Sequence, residues 1–366
     1  MKKLTLYFLT LFLFSCSSNI PKWDKFKVDN EHKSFKETES LKNFNLLEIK
    51  VNKFNTGGPI VNSPLLIGNN IYFGSLDKNF YSVDILTLKE NWKFNSGKAI
   101  FSSPLFSDSI IYFASGNNMY AVRADNGNNL WTFTESKSTI YSSPIKVNNT
   151  LYFGSSDNTI YALNSQTGKL IWLFNKYKAK ATISTISYSN GNLYFGSEDK
   201  NIYSLDLNGN EKWKFKTNGP VSTPSISKGL VHFGSDDGIF YTLDAKTGIE
   251  RWRFKSGGPI IGSPAISEKY VYFGSWDSYI YCLNINNGDL VWKYKSGGPI
   301  TGSPIITKDV VYFGSWDNKL YALDLLNGQK IGEFSAEDVV ASPIIYDKTL
   351  IFGSWDGKLY ILSDKK

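Results

Sequence analysis

The chain has 366 residues, of which 42% are hydrophobic and 16% aromatic, and its formal net charge is +7. This positive excess is mild for the length, and Lys alternates with aromatic residues in segments such as 292–295 (WKYK). Because a nucleic-acid-binding protein clusters Lys and Arg on one element, composition and charge argue against a nucleic-acid partner.

The first 15 residues have the pattern of a lipoprotein signal peptide. Lys2 and Lys3 precede an apolar run from Leu4 to Phe14, which is too short to span a bilayer. The run stops at Cys16, and the four residues 13–16 (LFSC) resemble a bacterial lipobox, which implies lipidation of Cys16. Ser17 is not the Asp that retains lipoproteins at the inner membrane in proteobacteria, so we expect an anchor in the outer membrane, facing the periplasm. The alternative is a plain signal peptide with an incidental cysteine.

Residues 16–43 are predicted to form a flexible tether between the membrane and a folded domain. They consist mainly of Ser, Asn, Lys and Glu with scattered aromatic residues, and they show no periodicity. Such a composition lacks the regular apolar positions from which a core is built.

The remainder of the chain repeats itself eight times with a period near 40 residues. In each repeat a Pro, usually after Ser or Thr, is followed ten residues later by Gly-Ser-x-Asp or a close variant. A fixed period of this size indicates a solenoid or a propeller. The anchor positions, with an Ile standing in for Pro once, are Pro64, Pro104, Pro144, Ile186, Pro224, Pro264, Pro304 and Pro343.

Each repeat contains four short runs that are typical of β-strands. In the sixth repeat these runs are 260–266, 270–274, 279–284 and 290–295, separated by Gly, Pro, Asn and Asp. No stretch has a helical period, so helices should be almost absent. Because an isolated four-stranded sheet cannot cover both its faces, we predict radial packing of the sheets. The expected fold is an all-β, eight-bladed propeller of four-stranded antiparallel blades over residues 44–364.

The two ends of this domain are predicted to share a blade. The eighth repeat ends after its third strand, at 360–363, whereas residues 46–54 have the register of a fourth strand with no three strands before them. We therefore expect the N-terminal strand to complete the last blade, which removes two free edges. Deleting residues 44–54 should cost far more stability than deleting the tail before them.

A tryptophan recurs in the fourth strand and is expected to pack where neighbouring blades meet. Gly332 and Asn52 replace it around the last blade, so the closing seam should be the softest part of the ring. The six equivalent positions are Trp92, Trp131, Trp172, Trp213, Trp252 and Trp292.

The segment 161–172 (YALNSQTGKLIW) resembles the tryptophan-docking motif of quinoprotein-type (PQQ-like) propellers, and 242–252 and 282–292 nearly repeat it. With the signal peptide ahead of it, the chain resembles the BamB family of outer-membrane protein assembly factors over residues 46–364. That resemblance implies a single-domain, non-catalytic scaffold lipoprotein that binds protein partners, in particular the outer-membrane barrel assembly machinery. We expect a monomer. The alternative is a propeller that binds or senses a small ligand in its channel.

Catalytic, cofactor and metal sites are not expected. Quinoprotein dehydrogenases of this superfamily hold their quinone with an adjacent Cys pair, which this chain lacks. Cys282 and His232 replace other residues at regular strand positions, so we interpret both as packing residues. The Asp of Gly-Ser-x-Asp recurs once per blade around a ring and cannot converge on one metal ion. An Asx-turn explains it.

Three departures from the repeat are expected to lie on one face of the propeller, where the 2–3 turns and the loops between blades meet. The loop 175–182 is longer and basic, the loop 335–339 is shorter and acidic, and three successive 2–3 turns carry Trp. We predict a partner-binding surface there, with a solvated basic loop and Trp rings lying flat on their own blades as the alternatives. Its residues are Lys176, Tyr177, Lys178, Lys180, Trp276, Trp316, Trp355, Glu337 and Asp338.

Overall fold

The structure, a computed structural model, describes residues 40–41, 49–176 and 181–364. Within these ranges the chain forms eight four-stranded antiparallel sheets, and all the regular elements are β-strands. The described residues include no helix with the length and hydropathy needed to span a membrane. The predicted signal peptide, the lipidation site Cys16 and most of the predicted tether lie outside the described ranges.

The strands follow one another in the order that the repeat predicts, four to a blade. Blade 1 contains β2 (Leu65–Ile67), β3 (Asn70–Gly74), β4 (Asn79–Asp84) and β5 (Glu90–Asn95). Blade 2 contains β6 (Leu105–Ser107), β7 (Ile110–Ser115), β8 (Asn118–Arg123) and β9 (Asn129–Phe133). Blade 3 contains β10 (Ile145–Val147), β11 (Thr150–Ser155), β12 (Thr159–Asn164) and β13 (Leu170–Phe174). Blade 4 contains β14 (Ser187–Ser189), β15 (Asn192–Gly196), β16 (Asn201–Asp206) and β17 (Glu211–Lys216).

Blade 5 contains β18 (Ser225–Ser227), β19 (Leu230–Gly234), β20 (Ile239–Asp244) and β21 (Glu250–Lys255). Blade 6 contains β22 (Ala265–Ile266), β23 (Tyr270–Gly274), β24 (Tyr279–Asn284) and β25 (Leu290–Lys295). Blade 7 contains β26 (Ile305–Ile306), β27 (Val310–Gly314), β28 (Lys319–Asp324) and β29 (Lys330–Ser335). Blade 8 contains β30 (Ile344–Tyr346), β31 (Thr349–Gly353), β32 (Lys358–Asp364) and β1 (Ile49–Asn55).

The N-terminal strand closes the ring, as predicted. β1 pairs antiparallel with β32 in one unbroken register, from Ile49 opposite Asp364 to Asn55 opposite Lys358. In the other seven blades the pairing of the third and fourth strands shifts at a β-bulge, for example between Ala162 and Leu163. Blade 8 has no turn joining these two strands, and its pairing stays regular.

In six blades the hydroxyl of the Ser or Thr before the anchor position accepts a backbone N–H from the preceding blade. The backbone N–H of Ser63 donates to Ser103 Oγ over 3.0 Å, and the N–H of Ser103 donates to Ser143 Oγ over 2.9 Å. Six bonds of this kind occur among the described residues. The residue that follows is Pro in seven of the eight blades. A Pro can begin an edge strand because it has no N–H to pair in the ladder.

The fourth-strand tryptophans dock between blades, which confirms their predicted packing role. Trp92 Nε1 donates to the carbonyl of Ala124, in the 3–4 turn of the next blade, over 3.0 Å. The ring lies against Gly127, where an added Cβ would come within 2.6 Å of it. The other five tryptophans donate to equivalent carbonyls over 3.0 to 3.2 Å.

The seam between blades 7 and 8 is completed by the segment before β1. Leu41 is fully buried among residues of both blades, including Tyr312, Leu350 and Leu362. Its carbonyl accepts a hydrogen bond from Tyr312 Oη over 2.8 Å, and Ser40 Oγ lies 2.7 Å from Thr307 Oγ1. Two residues of the predicted tether thus belong to the folded domain, and the expected start of the propeller at residue 44 does not include them.

Candidate functional site on the loop face

The 2–3 turns and the loops between blades lie on one face, as predicted, and we call this the loop face. The backbone N–H of Trp276 donates to the carbonyl of Pro259 over 2.9 Å, and that of Trp316 donates to Pro299 over 3.0 Å. Each turn is thereby tied to the loop that enters its own blade. The 1–2 and 3–4 turns lie together on the opposite face, called the turn face, where Leu325 N donates to the carbonyl of Asp309 over 2.9 Å.

The recurring Asp holds the loop face together, which confirms the interpretation as Asx-turns. Asp277 Oδ1 accepts the N–H of Tyr279 over 3.0 Å. Its Oδ2 accepts both the hydroxyl of Tyr281 over 2.6 Å and the N–H of Gly257 over 2.7 Å. Burial and this carboxylate raise the pKa of Tyr281 far above its ordinary value, so the phenol remains a donor. Both carboxylate oxygens of Asp277 are thus used within the fold.

The three turn tryptophans are half-buried and contact one another or the loops beside them. The rings of Trp276 and Trp316 are 5.6 Å apart at 47°, and Trp316 Nε1 donates to Thr301 Oγ1 over 2.8 Å. Trp355 packs against the cluster of Val61 and Phe101. The rings therefore bridge neighbouring blades. Each ring is therefore only partly exposed to solvent.

An aromatic cluster joins blades 8, 1, 2 and 3 on the loop face. Phe101 and Tyr141 follow the interblade loops of blades 2 and 3, and their ring centroids are 5.0 Å apart. Phe101 is buried, and Trp355 and Leu76 pack against the same cluster. Phe101 and Tyr141 are not among the predicted site residues, although each directly follows an Ile, Ile100 or Ile140, that recurs in the repeat.

The position in the 2–3 turn that holds Trp in blades 6 to 8 holds an acidic residue in blades 4 and 5. These residues are Glu198 and Asp236. Glu198 Oε2 accepts the N–H of Thr182 over 2.8 Å. Burial, reinforced by the charges of Glu198 and Asp237, raises the pKa of Asp236 to about 7. The same charge of Glu198 contributes, after burial, to the raised pKa of Tyr141. This position of the 2–3 turn therefore changes from apolar to acidic around the ring. Comparing the eight repeats of the sequence shows the same change.

Glu337 of the predicted acidic loop and Lys176 of the predicted basic loop both have oppositely charged neighbours. Glu337 pairs with Lys53 over 2.9 Å and with Lys358, and these partners lower the pKa of its carboxyl to about 2. Asp338 Oδ1 accepts the N–H of Val339 over 2.8 Å within its own loop. Lys176 is exposed and lies 3.4 Å from Glu211. Tyr177, Lys178 and Lys180 lie outside the described residues.

Cys282 and His232 are both fully buried in the blades. Burial raises the pKa of Cys282 to about 12. Burial also lowers the pKa of His232 to about 3, and its Nδ1 lies 2.9 Å from Thr242 Oγ1. Both positions agree with the interpretation as packing residues. No group of three or more His, Cys, Asp or Glu suited to a metal ion occurs in the part of the chain that the structure describes.

Sequence comparison decides the family. A profile for the outer membrane protein assembly factor BamB matches residues 38–253, 176–274 and 250–366, which together span the whole propeller. The chain belongs to the BamB family. A search of curated proteins finds no match to it.

Solved structures share the fold of this BamB family member at low sequence identity. The crystal structure of BamB from Moraxella catarrhalis is 15% identical, with a TM-score of 0.71 over 85% of this chain and 98% of that one. A europium-containing methanol dehydrogenase is 14% identical, with a TM-score of 0.74 over 92% and 96%. The computationally designed Ika8 protein is 18% identical, with a TM-score of 0.75 over 84% and 98%. Likeness at this identity concerns the fold, and an enzyme shares it.

Proposed function

We propose that this chain is a non-catalytic scaffold lipoprotein that binds protein partners in outer-membrane β-barrel assembly. In this proposal Cys16 carries the lipid, the outer membrane holds the anchor, and the propeller faces the periplasm. The family match across residues 38–366 carries the proposal. The signal-like residues 1–15 are consistent with export, since an apolar run after two Lys is what the secretion machinery reads.

The loop face is the surface proposed to contact the partner. Its ring of 2–3 turns contains half-buried tryptophans and two acidic side chains. Partly buried aromatic residues often contribute strongly to binding at protein interfaces. Strand addition at an outer strand is a main-chain mode that a propeller also permits. The loop face is favoured because the repeat is least regular there.

The absence of catalysis is part of the same proposal. At neutral pH the thiol of Cys282 is protonated and the imidazole of His232 is uncharged, and both are fully buried in the blades. A nucleophile or a general base needs access to substrate and a pKa near the working pH. Neither condition is met by these two residues.

Affinity purification of the lipidated protein from membranes tests the proposal. We expect barrel-assembly proteins to co-purify with the wild type and to be lost when Trp276 and Trp355 are both replaced by Ala. A matched control replaces Trp172, which docks at a seam, and should retain the partners if the variant folds. Recovery of a small molecule alone, with no assembly protein, would contradict the scaffold proposal and support a ligand-binding propeller.

A further inference from the structure

The outer strand of blade 3 differs in composition from the other seven outer strands that the structure describes. This strand, β13 (LIWLF), contains no polar residue, whereas each of the others contains at least one. Leu170, Ile171 and Leu173 are exposed by 37%, 52% and 43%. Blade 3 therefore presents an apolar edge to solvent.

Two leucines of β13 lie on the face of the blade that is turned towards blade 2. Leu170 pairs with Leu163, and Leu173 pairs with Tyr161. Leu163 and Tyr161 are buried in the cluster that blades 2 and 3 share, where the ring centroid of Tyr161 lies 5.5 Å from that of Phe133. Because directly paired residues of neighbouring strands project from the same face of a sheet, the two leucines extend this apolar surface to the rim.

The two positions equivalent to these leucines contain a charged or polar residue in every other blade. Blade 6, for example, has Leu290 at the first position but Lys293 at the second. Only blade 3 is apolar at both. In three blades the two positions form an ion pair, Lys93 with Glu90 over 3.8 Å, Arg253 with Glu250 over 2.6 Å and Lys330 with Glu333 over 3.1 Å.

The missing charge leaves the edge of β13 open to another strand. Charged side chains, Lys above all, protect edge strands against pairing with other chains. A β-bulge also weakens such pairing, but seven outer strands have one, so the bulge does not distinguish blade 3. β13 ends its sheet, and β12 is its strand neighbour in the described part of the chain. A further strand can therefore be added at this edge.

We propose that β13 binds an extended segment of a partner protein by antiparallel strand addition. The segment has apolar residues at alternate positions, and these contact Leu170 and Leu173. Main-chain hydrogen bonds give such a complex its affinity, and alternate side chains give it specificity. The antiparallel direction continues that of the sheet and is the more stable pairing. The site lies on the rim and includes none of the turn tryptophans, so it goes beyond the proposed function.

Charges at both ends of β13 select the chemistry of the segment. Lys169 precedes the strand and Lys176 follows it, and both are exposed. An acidic residue at each end of the segment places opposite charges beside these lysines. A second copy of β13, paired antiparallel, would instead bring Lys169 of each chain close to Lys176 of the other, and like charges in such positions are destabilising. The occupant is therefore an acidic-ended segment of another protein.

Fluorescence anisotropy with the full chain in lipid nanodiscs and a labelled peptide tests the binding. The peptide alternates Val and Thr and carries Glu at each end. Leu173→Lys gives blade 3 the residue type found in blades 4 and 6, so the fold should be retained. The variant should weaken peptide binding about tenfold or more, because an apolar contact is lost.

Leu290→Lys is the matched control, since it makes the same change at a residue of blade 6 that is 46% exposed. It should bind the peptide as tightly as the wild type does. A peptide with Lys at each end should bind the wild type severalfold more weakly. No binding by the wild type, equal effects of the two variants, or equal affinity for the two peptides would overturn the proposal.

Ester-containing peptides separate strand addition from simple apolar adsorption, and they require no protein variant. Replacing alternate amides by esters removes the N–H groups along one edge of the peptide and changes its shape little. In the antiparallel direction only one edge faces β13 while the Val side chains contact Leu170 and Leu173. The peptide modified on that edge should bind severalfold more weakly than the peptide modified on the other. Equal affinities would show that the main chain is not used, and the proposal would be wrong.

Sedimentation of the chain in detergent, without peptide, tests for a second copy at β13. We expect the monomer, whereas a dimer that Leu173→Lys dissociates would contradict the proposed occupant. None of these measurements requires an assembly protein. Their failure is therefore distinguishable from failure of the proposed function.

Discussion

A histidine occupies, in blade 5, the strand position that holds Tyr in six other blades. His232 is fully buried, and burial lowers its pKa to about 3 from 6.5. The unfolded chain therefore takes up a proton below pH 6.5 that the folded chain does not. The free energy of unfolding should fall as the pH drops from 6.5 towards 3, by about 1.4 kcal/mol per pH unit once well below 6.5.

His232→Tyr should remove this pH dependence, because Tyr at the equivalent positions keeps its proton and donates to a turn carbonyl, as Tyr272 does to Leu325. We expect the stability difference between variant and wild type to grow by about 1.4 kcal/mol between pH 7.5 and 5.5. Urea unfolding at several pH values measures it. A difference that is constant over this range would show that the imidazole is protonated in the folded state.

Two glycines of blade 5 allow the tryptophan docking to be measured separately from backbone strain. Gly248 and Gly229 have φ of 71° and 74°, but an added Cβ at Gly248 would lie 2.7 Å from Trp213, whereas none lies within 4 Å at Gly229. Ala at either position costs about 1–2 kcal/mol for the left-handed backbone. Gly248→Ala should cost a further 1–3 kcal/mol, roughly, from overpacking. Equal losses in chemical denaturation would mean that the docked ring contributes nothing to the seam.

The contacts between blades were predicted from the sequence only in part. The repeat spacing predicted each strand and the Trp docking, since both depend on residues within one or two repeats. Leu41 could not be found in this way, because its partner Tyr312 is 271 residues away and no repeat position corresponds to it. Likewise, the neutralisation of Glu337 by Lys53 follows from ring closure and not from the local sequence.

Leu41 gives the closing seam a test of its own. Its side chain is fully buried between blades 7 and 8, so Leu41→Ala should lower the free energy of unfolding by about 2 kcal/mol or more. Leu326, which is 68% exposed on the turn face, is the matched control, and Leu326→Ala should change stability by less than about 0.5 kcal/mol. Indistinguishable variants in urea titrations would show that Leu41 does not hold the seam.

For the whole molecule, the sequence predicted the architecture more fully than the candidate site. Eight blades and their closure follow from periodicity and from the register of residues 46–54. The predicted site depended on exposure, which periodicity does not determine. Trp276 and Trp316 lie half-buried because neighbouring blades bring their rings together. Lys176 and Glu337 pair with charged residues of other strands.

Site-specific photocrosslinking in membranes tests the central claim, that this propeller presents its loop face to protein partners. Photoreactive side chains at positions 176 and 276 mark the loop face, and those at Ile249 and Leu326, exposed by 65% and 68%, mark the turn face. We expect adducts with barrel-assembly proteins from the loop face and none from the turn face. Adducts only from the turn face, or no protein adduct from either, would contradict it.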